Sequence, residues 1–560
     1  MDTSRERSIG RMPREIGFIG LTFIAVSGVF GSGWLFAPLL AAQHAGPASL
    51  VAWAMGGLAM LLLALTFAEI SAMLPVPGGI ARVPQFSHGN VTSMAMGWSA
   101  WVGYSTTAPI EVEVMLRYLA PRAEWLFTAA GGSTLAWPGV AVAGALLAAF
   151  TVINALGVKV LATVNSTLTW AKLGIPAVVI VLFIASRFEP SNFTAGGGFA
   201  PLGLAGVLGA VSSGGVIFAF IGFRHAIDMA GEVKNPGVTI PAALILSIII
   251  CFVIYSGLQL AFIGALSADD LGKGWAALSF HNDLGPLSAI ASVLGLVWLV
   301  SLLNVGAVIA PFGGALVAVG SNARIAYAIA ENGFFPKRFA SLSKLGVPLA
   351  ALLLNLCFSS LIFVLLPFDG LVQLNSCAIV LSFIVGPVAA AALRRLLPDV
   401  PRPLRIPLLD AVALVAFVVA TLVIYWGGWS TIWRLGVCLG VGLALFLLHL
   451  RRHPDETLDV NEALWLVPYL LGIAAVSALG TFGGLGVIPF GIDMAVLSVL
   501  SAATFVLAIR SRLSRDKLNR YLDVEQFMAL RPASAPAPSD TPPLKPAIAG
   551  QPAASLNSSR

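Results

Sequence analysis

The stretch Phe23–Phe36, FIAVSGVFGSGWLF, decides how this chain folds. With its flanks it is long and apolar enough to cross a bilayer, yet its middle holds Gly28, Gly31, Ser32 and Gly33. A backbone group without a hydrogen bond in hydrocarbon costs several kcal/mol, so an interruption is tolerated only against protein or a water-filled cavity. The stretch therefore predicts a membrane helix that is broken within the bilayer.

A second interrupted segment, GGVIFAFIGFR, lies much further along the chain at Gly214–Arg224. Two broken helices in corresponding places of two halves are the best sequence indication of a transporter's binding site near the bilayer midplane. We therefore expect the two segments to meet at such a site.

The composition agrees with a membrane protein. Hydrophobic residues make up 58% of the chain and charged residues 10%, and the mean hydropathy is +0.91. A soluble domain has about 25% charged residues, so we predict an all-α polytopic protein whose surroundings are a lipid bilayer. The net charge of +6 falls mainly in short loops and does not indicate nucleic-acid binding.

Several other functions are not indicated. The four cysteines lie in apolar spans without metal-ligand spacing, so neither a metal site nor a disulfide framework is predicted. Metalloprotease, esterase and phosphate-loop patterns are missing from the sequence, so we expect neither an enzyme nor a cofactor.

Apolar runs of about 20 or more residues predict about fourteen transmembrane helices. Their expected bounds are 16–45, 48–73, 93–118, 137–155, 163–186, 205–232, 239–265, 288–330, 348–367, 371–394, 408–426, 432–450, 463–481 and 489–509.

Basic residues concentrate in one set of alternate loops. That set contains Arg82, Lys159, Lys234, Lys337, Arg338, Lys344, Arg394, Arg395, Arg402, Arg405, Arg451 and Arg452. Cytoplasmic loops carry such an excess, so we expect both termini in the cytoplasm.

The same patterns divide the chain into parts. We predict a cytoplasmic N-terminal segment 1–15, a twelve-helix core 16–450, a cytoplasmic connector 451–462, two additional helices 463–509 and a cytoplasmic, largely disordered tail 510–560. The stretch 531–560 is rich in Pro, Ala and Ser, which is typical of disorder.

Four motifs resemble signatures of the amino acid–polyamine–organocation superfamily. Gly31–Gly33, Phe67–Gly79, Phe218–Ala243 and Asn322–Pro336 resemble motifs of its first, second, sixth and eighth helices. They occur in the family's order across residues 15–450. The resemblance implies five plus five helices in inverted repeat, two further helices, and transport of amino acids.

The additional helices carry a closer resemblance. Thr481–Phe490, TFGGLGVIPF, is similar to the corresponding region of the bacterial aspartate–proton symporter branch. This implies proton symport of an acidic amino acid such as aspartate across a bacterial inner (plasma) membrane. An exchanger without obligate proton coupling and a non-transporting membrane sensor are the alternatives.

The breaks supply the candidate substrate site. A broken helix has free N–H groups at the start of its second half and free C=O groups at the end of its first half. The substrate carboxylate would meet the amides of Gly31, Ser32 and Gly33, and the ammonium would meet carbonyls near Val29, Phe218, Ala219 and Ile221. The alternative is that these glycines, with Gly222, only permit close helix packing.

Phe218 has two interpretations. The resemblance implies an aromatic lid over the substrate at this position. The other interpretation is an ordinary core phenylalanine.

Lys172 lies well inside the predicted fifth helix. An ionisable residue within a membrane span is a functional candidate by default. The resemblance implies a proton-coupling lysine that stands where sodium-coupled relatives bind their ion. The alternative is a lysine whose long side chain reaches an interface.

Arg224 departs from the resemblance, which often has Glu at this position. Its guanidinium would bind an acidic side chain of the substrate, or else pair internally with Glu111 or Glu113. Glu69 and Glu232, nearer the helix ends, are candidate gate or loop-anchoring residues, or structural charges.

Overall fold

The computed structural model describes residues 12–119, 123–128, 135–280, 285–365, 368–452 and 458–522. Within them the chain is helical. Strand pairing is limited to two isolated bridges, Ile16 with Val233 and Phe127 with Leu135.

The first half contains ten α-helices in the described ranges. They are α1 Phe18–Val29, α2 Ala37–Ala45, α3 Ser49–Met73, α4 Gly79–Leu119, α5 Trp137–Ala155, α6 Val158–Ser186, α7 Gly203–Ser212, α8 Val216–Phe220, α9 Arg224–Asp228 and α10 Pro236–Ala265.

The second half contains twelve more in the part of the chain that is described. They are α11 Ala268–Leu271, α12 Pro286–Val293, α13 Val297–Glu331, α14 Leu349–Leu365, α15 Phe368–Phe383, α16 Val385–Leu396, α17 Leu409–Trp426, α18 Trp429–Arg452, α19 Val460–Ala463, α20 Leu466–Leu479, α21 Ile492–Arg510 and α22 Arg515–Asn519.

The helices have the dimensions of membrane spans. Eleven helical stretches of the described residues are long and apolar enough to cross a bilayer, and two shorter apolar helices, Phe18–Val29 and Leu349–Leu365, accompany them. The polytopic all-α class is confirmed. The count of fourteen and the five-plus-five repeat stay predictions.

The third predicted helix, 93–118, lies in the second part of α4. Helix α4 begins at Gly79 and has a kink at Gly89, whose φ is 76°, so the part before the kink was not predicted. A side chain at Gly89 would overlap Asp459. Because glycine alone adopts this left-handed conformation without strain, the helix turns there and continues.

Two other predicted helices are divided. The predicted helix 288–330 consists of α12 and α13, separated at Gly295, whose φ is 73°. The predicted helix 371–394 consists of α15 and α16, separated at Ile384. Pro387 has no N–H to donate to Phe383, which weakens the helix there.

One end of the bundle carries Arg82, Lys234 and Lys337, and we call it the basic face. Here Lys234 N donates to Ile16 O at 2.8 Å, and Arg82 Nη1 donates to Asn332 Oδ1 at 2.6 Å.

The chain after α21 returns to the core. Leu513 N donates to Ser87 O at 2.9 Å, and Leu518 is buried in a second hydrophobic cluster with Phe86 and Leu393. Packed structure therefore continues past residue 510, where the tail was predicted to begin. The predicted disordered stretch 531–560 lies outside the described residues.

Candidate functional site

Both predicted breaks are present. After α1 ends at Val29, a 3₁₀ turn at Ser32–Leu35 leads to α2. After α7, Gly215 with φ 83° introduces α8, and a 3₁₀ turn at Ile221–Phe223 leads to α9.

The two broken helices cross with their backbones in contact. A Cβ on Gly222 would overlap the backbone of Gly28, and a Cβ on Gly28 would overlap the ring of His225. At this crossing the glycines permit close packing, as the alternative interpretation requires. The side chains beside the crossing show which groups bind the free amides and carbonyls of the breaks.

A carboxylate of the protein itself accepts a hydrogen bond from an amide of the first break. Ser32 N donates to Glu111 Oε2 at 2.8 Å, and Glu111 on α4 is 4% exposed. A Cβ on Gly31 would overlap this carboxylate. The backbone thus accommodates a carboxylate at this point, and a substrate carboxylate that bound Ser32 would have to replace that of Glu111.

Lys172 closes the end of α1 from the neighbouring helix α6. Its Nζ donates to Ser27 O at 3.0 Å, Ser27 Oγ at 2.7 Å and Phe30 O at 2.7 Å. The residue is 3% exposed, so its side chain does not extend to an interface. A cation at the carbonyl end of a helix interacts favourably with the negative end of the helix dipole.

The carbonyl at the first break also has a protein partner. Tyr255 Oη donates to Val29 O at 3.0 Å, and the Tyr255 ring stacks on Phe30 with centroids 4.7 Å apart. A carbonyl oxygen has a second lone pair, so Val29 retains capacity for an ammonium. Tyr255 was not predicted, because nothing in the sequence of α10 points to α1.

A cavity of about 420 Å³ lies beside the breaks. Its lining includes Ser32, Gly33, Phe218, Arg117 and Tyr118. Its volume is in the usual range for small-molecule sites, about 300–1,000 Å³.

Phe218 faces the cavity across from Gly33, and a Cβ on Gly33 would lie 3.7 Å from its ring. The other second-break candidates, Ala219, Ile221, Gly222 and Arg224, are not among the lining residues.

Arg224 is buried without a full set of partners. It is 1% exposed, and its Cζ lies 4.0 Å from the ring centre of Tyr104. Nη2 donates to Thr107 Oγ1 at 3.2 Å. Nε and Nη1 have no hydrogen-bond partner in the described part of the chain.

The internal pairing considered for Arg224 is not what this structure shows. Glu111 accepts from Ser32, and Glu113 pairs with Arg117 at 2.8 Å. The described residues contain no ion pair between Arg224 and either glutamate.

The acidic group close to Arg224 is Asp228, and its proximity to Arg224 was not predicted from the sequence. Tyr104 Oη donates to Asp228 Oδ2 at 2.5 Å, and Asp228 is completely buried. The spacing of Arg224 and Asp228, four residues apart on one helix, was a usable signal.

Glu69 and Glu232 form buried ion pairs near the basic face. Glu69 bonds Arg394 at 2.7 Å and Arg402 at 3.3 Å. Glu232 receives two hydrogen bonds from Arg324, at 2.5 and 2.9 Å. These contacts tie helix ends to loops, while a gating role stays a prediction.

Broken helices around a cavity of amino-acid size, inside a polytopic bundle, define a secondary-transporter architecture. The sequence comparison agrees with this class. Residues 16–473 match the amino acid permease family, and the chain belongs to that family.

Curated relatives cover nearly the whole chain. It is 34% identical to the glutamate/serine transporter AimA of Bacillus subtilis, over 90% of this chain and 95% of that protein. It is 34% identical to an aspartate–proton symporter of the same organism, over 89% and 96%. A branched-chain amino acid permease from that organism is 27% identical, over 80% and 95%.

Proposed function

We propose that this protein is a proton-coupled permease for acidic amino acids such as aspartate and glutamate. The observation that carries the proposal is the Arg224 guanidinium, buried with Nε and Nη1 unpaired. A charge inside a membrane is costly unless it is paired. A substrate carboxylate would supply the partner that the described residues do not. Because Arg224 does not line the cavity in this structure, this contact requires the site to open toward it.

The spacing along α4 suits a substrate with two carboxylates. Glu111 accepts a hydrogen bond from the amide of Ser32, where the substrate α-carboxylate is proposed to bind. Thr107 accepts a hydrogen bond from Arg224 and lies four residues earlier on α4. Four residues of α-helix rise about 6 Å. This matches the size of an amino acid whose second carboxylate is one or two methylenes from its α-carbon.

Lys172 is the proposed proton carrier. Charged, it holds the carbonyls of Ser27 and Phe30 at the end of α1. Loss of its proton would remove the charge from these hydrogen bonds and weaken them, which would couple protonation to movement at the break.

Two further observations support the proposal. The names of two relatives refer to aspartate with protons and to glutamate with serine. The concentration of basic residues in alternate loops supports an inner-membrane orientation with both termini in the cytoplasm.

The test is uptake of labelled aspartate into proteoliposomes with an imposed pH gradient, with competition by unlabelled aspartate and serine. Arg224→Ala is expected to weaken aspartate by about ten- to a hundred-fold, since a charge-assisted hydrogen bond contributes about 1.5–3 kcal/mol. Serine should change far less.

An equal change for aspartate and serine would overturn Arg224 as the recognition residue. Uptake that requires internal amino acid and ignores the pH gradient would establish an exchanger instead. Substrate binding without flux under any gradient would favour a sensor.

A further inference from the structure

Two opposite charges on α9 lie next to each other without pairing. Arg224 and Asp228 are four residues apart, so their side chains project from the same face of the helix. Both are buried, where opposite charges attract far more strongly than in water. Nevertheless, the described ion pairs do not include this one.

Tyr104 of α4 contacts both charges. Its ring lies under the guanidinium, 4.0 Å from Cζ, and its hydroxyl donates to Asp228 Oδ2 at 2.5 Å. The aromatic face attracts the cation, and the hydroxyl holds one carboxylate oxygen. One side chain thus fixes the two charges separately.

Besides Tyr104, the contacts of Asp228 involve its backbone carbonyl and the amide of Ile80. Gly78 N donates to Asp228 O at 2.8 Å. Oδ1 has no hydrogen-bond partner among the described residues, although the Ile80 amide faces the carboxylate. The intervening His225 bonds Ser321 Oγ at 2.7 Å and does not compete.

We propose that Tyr104 is a positioning residue that keeps Asp228 from pairing with Arg224, so that Nε and Nη1 stay available for the side-chain carboxylate of the substrate. Asp228 supplies a nearby negative charge that makes the buried guanidinium tolerable while the site is empty. This inference rests on the proposed recognition of acidic amino acids by Arg224.

If Tyr104 has this role, the effects of two substitutions should depend on each other. Tyr104→Phe keeps the ring but removes the hydroxyl, which frees Asp228 to capture Arg224. We expect aspartate affinity to fall by about ten-fold, the equivalent of about 1.4 kcal/mol, with serine affinity unchanged. Adding Asp228→Asn removes the competing charge and should restore aspartate affinity.

The measurement is binding of aspartate and of serine to the reconstituted full-length protein, for both single variants and the double variant. Tyr469→Phe is the matched control, because this buried tyrosine bonds Thr421 away from the site. It removes a buried hydroxyl without changing the environment of Arg224.

An equal loss of aspartate and serine binding in Tyr104→Phe, or no recovery in the double variant, would overturn the inference. If the Tyr104→Phe protein does not accumulate in the membrane, substrate binding to the Asp228→Asn single variant tests the inference instead. Retained or tighter aspartate binding supports the inference, and a loss confined to aspartate contradicts it. The Arg224→Ala variant separates failure of this inference from failure of the proposed function. If the proposed function is wrong, Arg224→Ala should weaken aspartate and serine binding equally.

Discussion

At the scale of single residues, two buried ionisable groups hold the two sides of the first break. Lys172 holds the end of α1 through three hydrogen bonds, and Glu111 holds the amide of Ser32. Loss of the proton from Lys172, or gain of a proton by Glu111, would change one of these attachments directly. The proposed proton coupling would therefore act at the same place where the substrate is proposed to bind.

Lys172→Met is expected to abolish accumulation of aspartate driven by a pH gradient, because methionine keeps an unbranched side chain but carries no proton. Substrate binding should survive better, since it uses other groups. Uptake and equilibrium binding in proteoliposomes measure the two effects.

Lys159→Met, at the exposed start of the same helix, is the control and should behave like the unmodified protein. Normal gradient-driven accumulation in Lys172→Met would eliminate this lysine as the coupling residue.

At the scale of elements, the crossing of the broken helices depends on the absence of side chains. Gly28 and Gly222 bring the two backbones together, so each break is supported by the other. Polar backbone groups that would be costly in lipid lie here against protein and beside a cavity.

Gly222→Ala is expected to lower the free energy of unfolding by at least about 1–3 kcal/mol, the usual cost of overpacking, and to reduce uptake. Gly174→Ala on α6 is the control, because no atom lies within 4 Å of its added Cβ. Thermal unfolding in detergent, with uptake in proteoliposomes, measures both variants.

A Gly222→Ala protein with unchanged stability and uptake would show that the crossing relaxes freely. The close approach would then have no role in maintaining the breaks.

At the scale of the whole molecule, the last helices pack against the core at positions away from the breaks. Helix α21 packs on α16 and α17, and Asp493 accepts a hydrogen bond from Tyr425. At the basic face, Asp459 lies against the bend at Gly89 and is held by Tyr521 and Lys517.

Ending the chain near residue 453 should therefore lower stability and abundance more than transport per molecule. The breaks and Lys172 all precede that point. Quantified protein in the membrane, together with uptake per mole of reconstituted protein, separates the two effects.

A chain ending at residue 530, before the predicted disordered stretch, is the control and should match the full-length protein. A folded protein truncated near 453 that transports nothing would contradict a self-sufficient core.

The sequence by itself determined the membrane class, the places of both breaks and the depth of Lys172. These follow from local composition, since lipid requires long apolar helices and allows interruptions only in protected places. The early start of α4 was missed because proline and glycine in a polar stretch look alike in loops and in bent helices. The bend at Gly295 was missed because a single glycine within an apolar run does not interrupt the hydropathy pattern.

Only the tertiary structure decided which groups meet: Glu111 at Ser32, Tyr255 at Val29, and Tyr104 between Arg224 and Asp228. For Arg224 the sequence left an internal partner and a substrate partner equally open. Hydropathy and spacing describe each helix alone, whereas these contacts join helices far apart in the chain. Their geometry is fixed by how the helices pack, and that packing is set by the whole set of close approaches together.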